Sequence, residues 1–139
     1  EEYFMIANQH VHVLDEFNNF MEEEIYQMMV ATTEDQDELI LENTTTLKVA
    51  RWWNRACDII PCNGGKDIGI QKILDYFNFN KEEAMAFGDG GNDISMLKYV
   101  GTGVAMGNAK DNVKAIADYI TDSVQEDGIV SALKHFEIL

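Results

Sequence analysis

Gly88-Asp89-Gly90-Gly91-Asn92-Asp93 is the stretch from which the fold of this chain is read. Ala84-Met85-Ala86-Phe87 precedes it, short and apolar in the manner of a buried strand. Ile94-Ser95-Met96-Leu97-Lys98-Tyr99-Val100 follows, with apolar residues at helical spacing. Two carboxylates and an amide therefore sit on a glycine-rich turn between a strand and a helix, where open α/β sheets bind their ligands. The three glycines permit tight, positive-φ geometry and a close approach of the backbone to a ligand. The competing reading is a plain strand-to-helix turn with Asn92 or Asp93 as N-cap. The density of oxygen ligands argues against it.

Working outward, strands and helices alternate regularly after Asn63-Gly64-Gly65. Helices are expected at Lys66–Phe77, Asn92–Val100, Asn108–Ala117 and Glu126–Phe136, and strands at Ala84–Phe87, Gly103–Met106 and Tyr119–Thr121. That alternation predicts an α/β architecture, a parallel sheet wound with helices. Before residue 63 the rhythm is different. Strands are expected at residues 3–7, Ile25–Ala31, Thr44–Trp53 and Ala56–Cys62, the last two joined by a turn at Asn54-Arg55. A helix is expected from Val11 to Met21, and Thr32-Thr33-Glu34-Asp35 reads as a cap opening a short acidic helix to Leu41. This is an α+β pattern, and the boundary between the two units is placed at residues 62/63.

Composition narrows the function classes. The chain has 139 residues, 46% of them hydrophobic and 25% charged, with a net charge of −15. That charge argues against nucleic-acid or anionic-membrane partners, because phosphate backbones and anionic lipids call for lysine and arginine. The longest apolar runs are too short to span a bilayer, and Glu1-Glu2-Tyr3-Phe4 carries no basic segment of a secretory leader. Cys57 and Cys62 form no CxxC motif and, on one strand, face opposite sides. Reduced thiols and a cytoplasmic location are expected.

Several motifs fail on inspection. Asn63-Gly64-Gly65-Lys66 is not a P-loop, since Ile60 stands at the first glycine position and Asp67 at the Ser/Thr position. Gly88-Asp89-Gly90 and Gly101-Thr102-Gly103 begin dinucleotide fingerprints that Asp93 and Met106 end. A calcium loop starting at Asp89 would need glycine at Ile94 and glutamate at Val100. His10 and His12 share a face if extended but lack further ligands.

Two constellations remain. Asp89, Asn92 and Asp93 offer hard oxygen ligands of the kind magnesium takes, together with waters and a substrate phosphate. Lys66 opens a helix after a Gly-Gly turn, so an ammonium and a helix N-terminus attract an anion together. A cation site beside an anion site is what phosphoryl transfer needs.

With Lys66-x-x-Gly69-Ile70, Gly88 to Leu97, Gly103-Val104-Ala105-Met106-Gly107-Asn108-Ala109 and Asp127-Gly128-Ile129, the chain resembles the haloacid dehalogenase superfamily. It is most similar to the Cof-type sugar-phosphate phosphatases with a C2-type cap. The resemblance implies a Rossmann-like parallel core, of which residues 63–139 are the carboxyl-terminal half, and a partial α+β cap at residues 1–62. It implies Mg2+ as cofactor and a small phosphorylated metabolite as substrate. Asp89 and Asp93 are implied as metal-site acids, Lys66 and Asp93 as catalytic residues, and Lys66 and Asn92 as phosphate-binding residues. Arg51, beside Trp52, is a candidate substrate-facing residue of the cap.

The family's Asp-x-Asp nucleophile motif ends its first core strand. Here Asp35-Gln36-Asp37 is the Asp-x-Asp available, and it lies in an acidic helix. The chain is therefore expected to be a fragment, inactive alone and complemented either by the missing amino-terminal half or by a second copy. Two other readings compete. One is a non-catalytic acidic module that binds metal or phosphate. The other is the phosphorylation domain of a P-type ATPase, whose similar signature continues into Pro-Ala-Leu where Ile94-Ser95-Met96 stands.

Overall fold

A computed structural model describes residues 24–139. The strand expected at residues 3–7, the helix from Val11 to Met21 and the His10/His12 pair lie outside the described residues. The described elements run β1 (Met28–Val30), α1 (Asp37–Leu41), β2 (Leu47–Trp53), β3 (Ala56–Pro61), α2 (Lys66–Phe77), β4 (Met85–Gly88), α3 (Ile94–Tyr99), β5 (Thr102–Ala105), α4 (Asp111–Lys114), β6 (Tyr119–Ile120) and α5 (Gly128–His135).

Two sheets result. The first is antiparallel in the order β1-β3-β2, and the second is parallel in the order β4-β5-β6. β5 is central in its sheet and nearly continuous in burial, as a strand covered on both faces requires. Leu97, Val104 and Val113 are fully buried around it. Each contributes about 1.5–3 kcal/mol by leaving water. The parallel sheet matches the α/β expectation for residues beyond 63.

In the first sheet β2 pairs with β3 in a register that sets Lys48 opposite Ile60, Ala50 opposite Asp58 and Arg51 opposite Cys57. Alternation therefore puts Lys48, Ala50, Asp58 and Ile60 on one face and Arg51 and Cys57 on the other. α1 packs against β2, and the Arg51 guanidinium forms an ion pair with Asp37 of α1. Its Nη1 also donates to the Thr32 carbonyl at 2.8 Å. Arg51 is thus a tie between helix and sheet rather than a substrate-facing residue, which corrects the sequence expectation. A bulge at Trp52 breaks the alternation at the end of β2. Cys57 is buried, Cys62 is exposed, and both are free thiols.

α2 ends at Asn78, which adopts left-handed geometry (φ 57°) and returns its N–H to the last helical carbonyls. Its apolar side chains Ile73, Tyr76 and Phe77 are exposed, and β4 pairs only with β5 among the described residues. The helix expected over Asn108–Ala117 shrinks to the single turn Asp111–Lys114, because Gly107 and Asn108 are taken up in a loop described below. Among the described residues no helix is long and apolar enough to cross a membrane.

Candidate functional site

The site assembles where β4 ends. Gly91–Asp93 form a single 3-10 turn that leads into α3, so the loop closes tightly around Asp93. The glycines serve close approach rather than positive φ. Gly90 has φ −100°, and among the described residues Gly65 is the glycine with φ in the left-handed range, at 131°. A Cβ on Gly91 would stand 2.6 Å from the Arg51 carbonyl oxygen. Only a residue without a side chain lets β2 lie against this loop.

Asp93 is the buried centre of the loop, 5% exposed. Its Oδ2 accepts from the backbone N–H groups of Asp89 and Gly90, both at 3.0 Å. Its Oδ1 accepts from the Lys66 ammonium. Burial pushes the Asp93 carboxyl up, but the Lys66 hydrogen bond and the two N–H donors outweigh it and hold the group below the usual aspartate range. Asp93 therefore stays ionised and ties α2 to the loop. A second tie runs from the Ser95 hydroxyl to Asp67 Oδ1 at 3.1 Å.

Lys66 stands at the first position of α2, its side chain half-exposed. It borders a cavity of about 480 Å³ together with Asn92, Ser95 and the Gly64-Gly65 turn. The opposite wall comes from the antiparallel sheet through Lys48, Ala50, Asp58 and Ile60, with Tyr26 beside them. The structure thus puts Lys66 and Asn92 on one concave space, with Asp93 buried behind Lys66, while Asp89 is not among the residues that line it.

Asp89 is exposed at the mouth of the loop. Its Oδ2 accepts from Asn108 Nδ2 at 3.1 Å, while Asn108 Oδ1 accepts from the Val124 N–H at 3.0 Å. Asn108 therefore fixes the Asp89 carboxylate from the loop after β5. Sequence reasoning assigned Asn108 no role, although it sits in the Gly103–Ala109 run, because only the β4–β5 pairing shows which loop lies beside Asp89.

Asp89 Oδ1 makes no hydrogen bond to a described residue, which leaves a hard anionic oxygen, of the kind magnesium takes, on an exposed side chain. No group of three or more His, Cys, Asp or Glu side chains is poised around a metal among the described residues. The donor set fits magnesium's habit of taking one or two protein carboxylates with waters and a phosphate. It does not make a closed protein cage.

A family model for haloacid dehalogenase-like hydrolases matches residues 2–133. The putative phosphatase YkrA of Bacillus subtilis (strain 168) is 40% identical over 116 residues, which are 84% of this chain and 45% of YkrA. The sugar phosphatase BT4131, of subclass IIB, superposes with a TM-score of 0.87 at 39% identity, over 99% of this chain and 53% of its own. BT1666 from Bacteroides thetaiotaomicron gives a TM-score of 0.88 at 35% identity, over 99% of this chain and 52% of its own. The chain spans about half the length of these relatives.

Proposed function

Because the chain belongs to the haloacid dehalogenase-like hydrolases, we propose that it is the carboxyl-terminal half of a magnesium-dependent phosphatase acting on small phosphorylated metabolites, sugar phosphates above all. The observation that carries this reading is the Lys66–Asp93 pair beside Asn92 at the edge of the cavity. It is a cation held in place at a helix N-terminus, facing a space of metabolite size. In this reading residues 63–139 are half of the core and the residues before them are part of the cap.

Each residue then has a task. Lys66 draws the phosphoryl oxygens toward α2 and offsets the charge that builds on them during transfer. Asp93 holds the Lys66 ammonium in position and keeps the loop N–H groups engaged. It also supports the metal environment. Asn92 offers an amide donor to the phosphate. Asp89, fixed by Asn108, supplies the carboxylate that would hold magnesium. When bound there, the ion would neutralise phosphoryl charge as a Lewis acid.

The attacking group comes from elsewhere in the enzyme. An aspartate carboxylate attacks phosphorus, the alcohol leaves, and water cleaves the resulting aspartyl phosphate to release phosphate. Asp37, in the available Asp-x-Asp pair, is engaged with Arg51 at the back of the antiparallel sheet. It cannot serve. The edge of β4 that no described strand pairs and the exposed Ile73, Tyr76 and Phe77 of α2 fit a further piece of sheet and helix. The partner is the remaining half of the enzyme or, failing that, a second copy. The two free thiols fit a cytoplasmic enzyme.

The test is complementation. The purified 139-residue chain, given p-nitrophenyl phosphate and Mg2+, should show no turnover above buffer. Supplied with the nucleophile-bearing half, it should turn the ester over. Turnover by the chain alone that is lost in Asp89→Asn would overthrow the fragment reading. No turnover and no metal-dependent phosphate binding after complementation would favour the non-catalytic module.

A further inference from the structure

We infer that Asn108 is a positioning residue for the carboxylate of Asp89, and that the loop from Thr121 to Gly128 holds it in that role; this rests on the phosphatase reading above. Among the motifs that carry the family resemblance, Asp127-Gly128-Ile129 still lacks a task. The structure connects it to Asp89 through two hydrogen bonds. Asn108 Nδ2 donates to Asp89 Oδ2 at 3.1 Å, and Asn108 Oδ1 accepts from the Val124 N–H at 3.0 Å. Val124 opens the 3-10 turn Val124–Glu126, which leads through Asp127 into α5. A backbone N–H only donates, so the amide oxygen has to face Val124 and the amide NH2 has to face Asp89. With Oδ2 engaged in this way, Oδ1 is the Asp89 oxygen left for a cation.

Asn108 and Asp89 are both exposed. A lone hydrogen bond between two exposed side chains fixes neither, because water competes for both groups and rotamer freedom opposes the contact. The second tether changes that, since it ends on backbone pinned from several sides. Thr121 is buried, and its Oγ1 donates to the Gly128 carbonyl at 2.6 Å. The Gly128 N–H donates to the Ser123 carbonyl at 3.0 Å. Asp127 takes the left-handed conformation (φ 55°), which aspartate adopts more readily than most residues. A Cβ on Gly128 would stand 2.0 Å from the Asp122 carbonyl oxygen, so α5 begins in contact with the chain leaving β6. The same carbonyl accepts from the Gly107 N–H at 2.9 Å. The loops after β5 and β6 thus form one unit, and Asn108 is the side chain by which that unit reaches the Asp89 carboxylate. A carboxylate ligand oriented by such a partner holds its metal more tightly than a free one.

The test is Mg2+ binding to the complete enzyme, nucleophile included, measured by calorimetry without substrate. Turnover of p-nitrophenyl phosphate against Mg2+ concentration is measured beside it. Asn108→Ala should raise the Mg2+ dissociation constant by about tenfold to a hundredfold, the scale of losing a partner that orients a ligand. Val124→Pro should do the same from the other end of the tether. Proline suits the first position of a helical turn, and Ser123 before it is already extended (φ −70°, ψ 166°). The substitution therefore removes the N–H and sets a ring carbon against the amide while the turn is kept. Val124→Ala trims the side chain, keeps the N–H and should bind Mg2+ like wild type. For Asn108→Ala and Val124→Pro, saturating Mg2+ should bring kcat back to within about threefold of wild type, as expected when metal binding alone is weakened. An unchanged dissociation constant in either variant, an equal loss in Val124→Ala, or a loss of kcat that Mg2+ does not restore would overturn the inference and leave the phosphatase reading intact. A wild-type enzyme that neither binds Mg2+ nor hydrolyses phosphate esters would remove both.

Discussion

Lys66→Met, assayed in the complete enzyme, should lower kcat for phosphate-ester hydrolysis by at least about a hundredfold, the scale of losing one preorganised donor to transition-state charge. The methionine keeps the length and apolar stem of lysine, so the loss isolates the ammonium. Lys66 is half-exposed and opens α2, so the substitution should change stability little by comparison. Steady-state kinetics beside a chemical denaturation curve separates the two effects. A variant retaining more than a tenth of wild-type kcat would mean that Lys66 is a solvated surface lysine. The loss should fall mainly on kcat, because the charge that Lys66 offsets grows between the bound ester and the transition state.

Asp93→Ala should damage folding as well as turnover. The carboxylate is buried and accepts from three donors, the Lys66 ammonium and the N–H groups of Asp89 and Gly90. Removing it strands two backbone donors inside the loop, and about 2–4 kcal/mol of stability should be lost. The Lys66 end carries the smaller share of that figure, since water can reach the ammonium. The pH dependence follows from the depressed carboxyl of Asp93. A carboxyl lower in the folded than in the unfolded chain contributes stability that is fully present above the ordinary aspartate value, about 4. That contribution is lost as pH falls through the lower folded value. Urea denaturation of wild type and variant should therefore differ most near pH 6, with the gap closing as the solution is acidified below about pH 4. A gap that is constant with pH would mean that Asp93 acts by packing and not by charge.

The parts of the molecule legible in the sequence are those whose chemistry is local. The Gly88–Asp93 turn stands out because the strand before it, the helix after it and the oxygen ligands between them are contiguous in the chain. The alternation beyond Gly65 likewise carries the parallel sheet without tertiary information. What escaped depends on which elements become neighbours. Arg51 stands beside two tryptophans in the sequence, but its face follows from the pairing of β2 with β3 and from α1 behind them. Asn108 reaches Asp89 only because β5 lies next to β4. The over-long helix at Asn108–Ala117 has a similar origin. Val113, Ile116 and Ala117 keep helical periodicity, yet the Gly107 N–H donates to the Asp122 carbonyl and the Asn108 side chain holds Val124 and Asp89. Of the two things that loop glycines permit, positive φ and close approach, it is close approach that Gly91 serves, to a carbonyl of another sheet at contact distance.

The central claim is that this loop supplies a magnesium carboxylate to a phosphoryl-transfer site, and magnesium titration of turnover tests it most directly. In the complete enzyme, hydrolysis should require Mg2+ and stop on chelation. Asp89→Asn should lose at least about a hundredfold in turnover while needing more Mg2+ to reach its plateau. Hydrolysis that proceeds without divalent metal, or an Asp89→Asn enzyme with wild-type turnover at the wild-type Mg2+ requirement, would contradict the account.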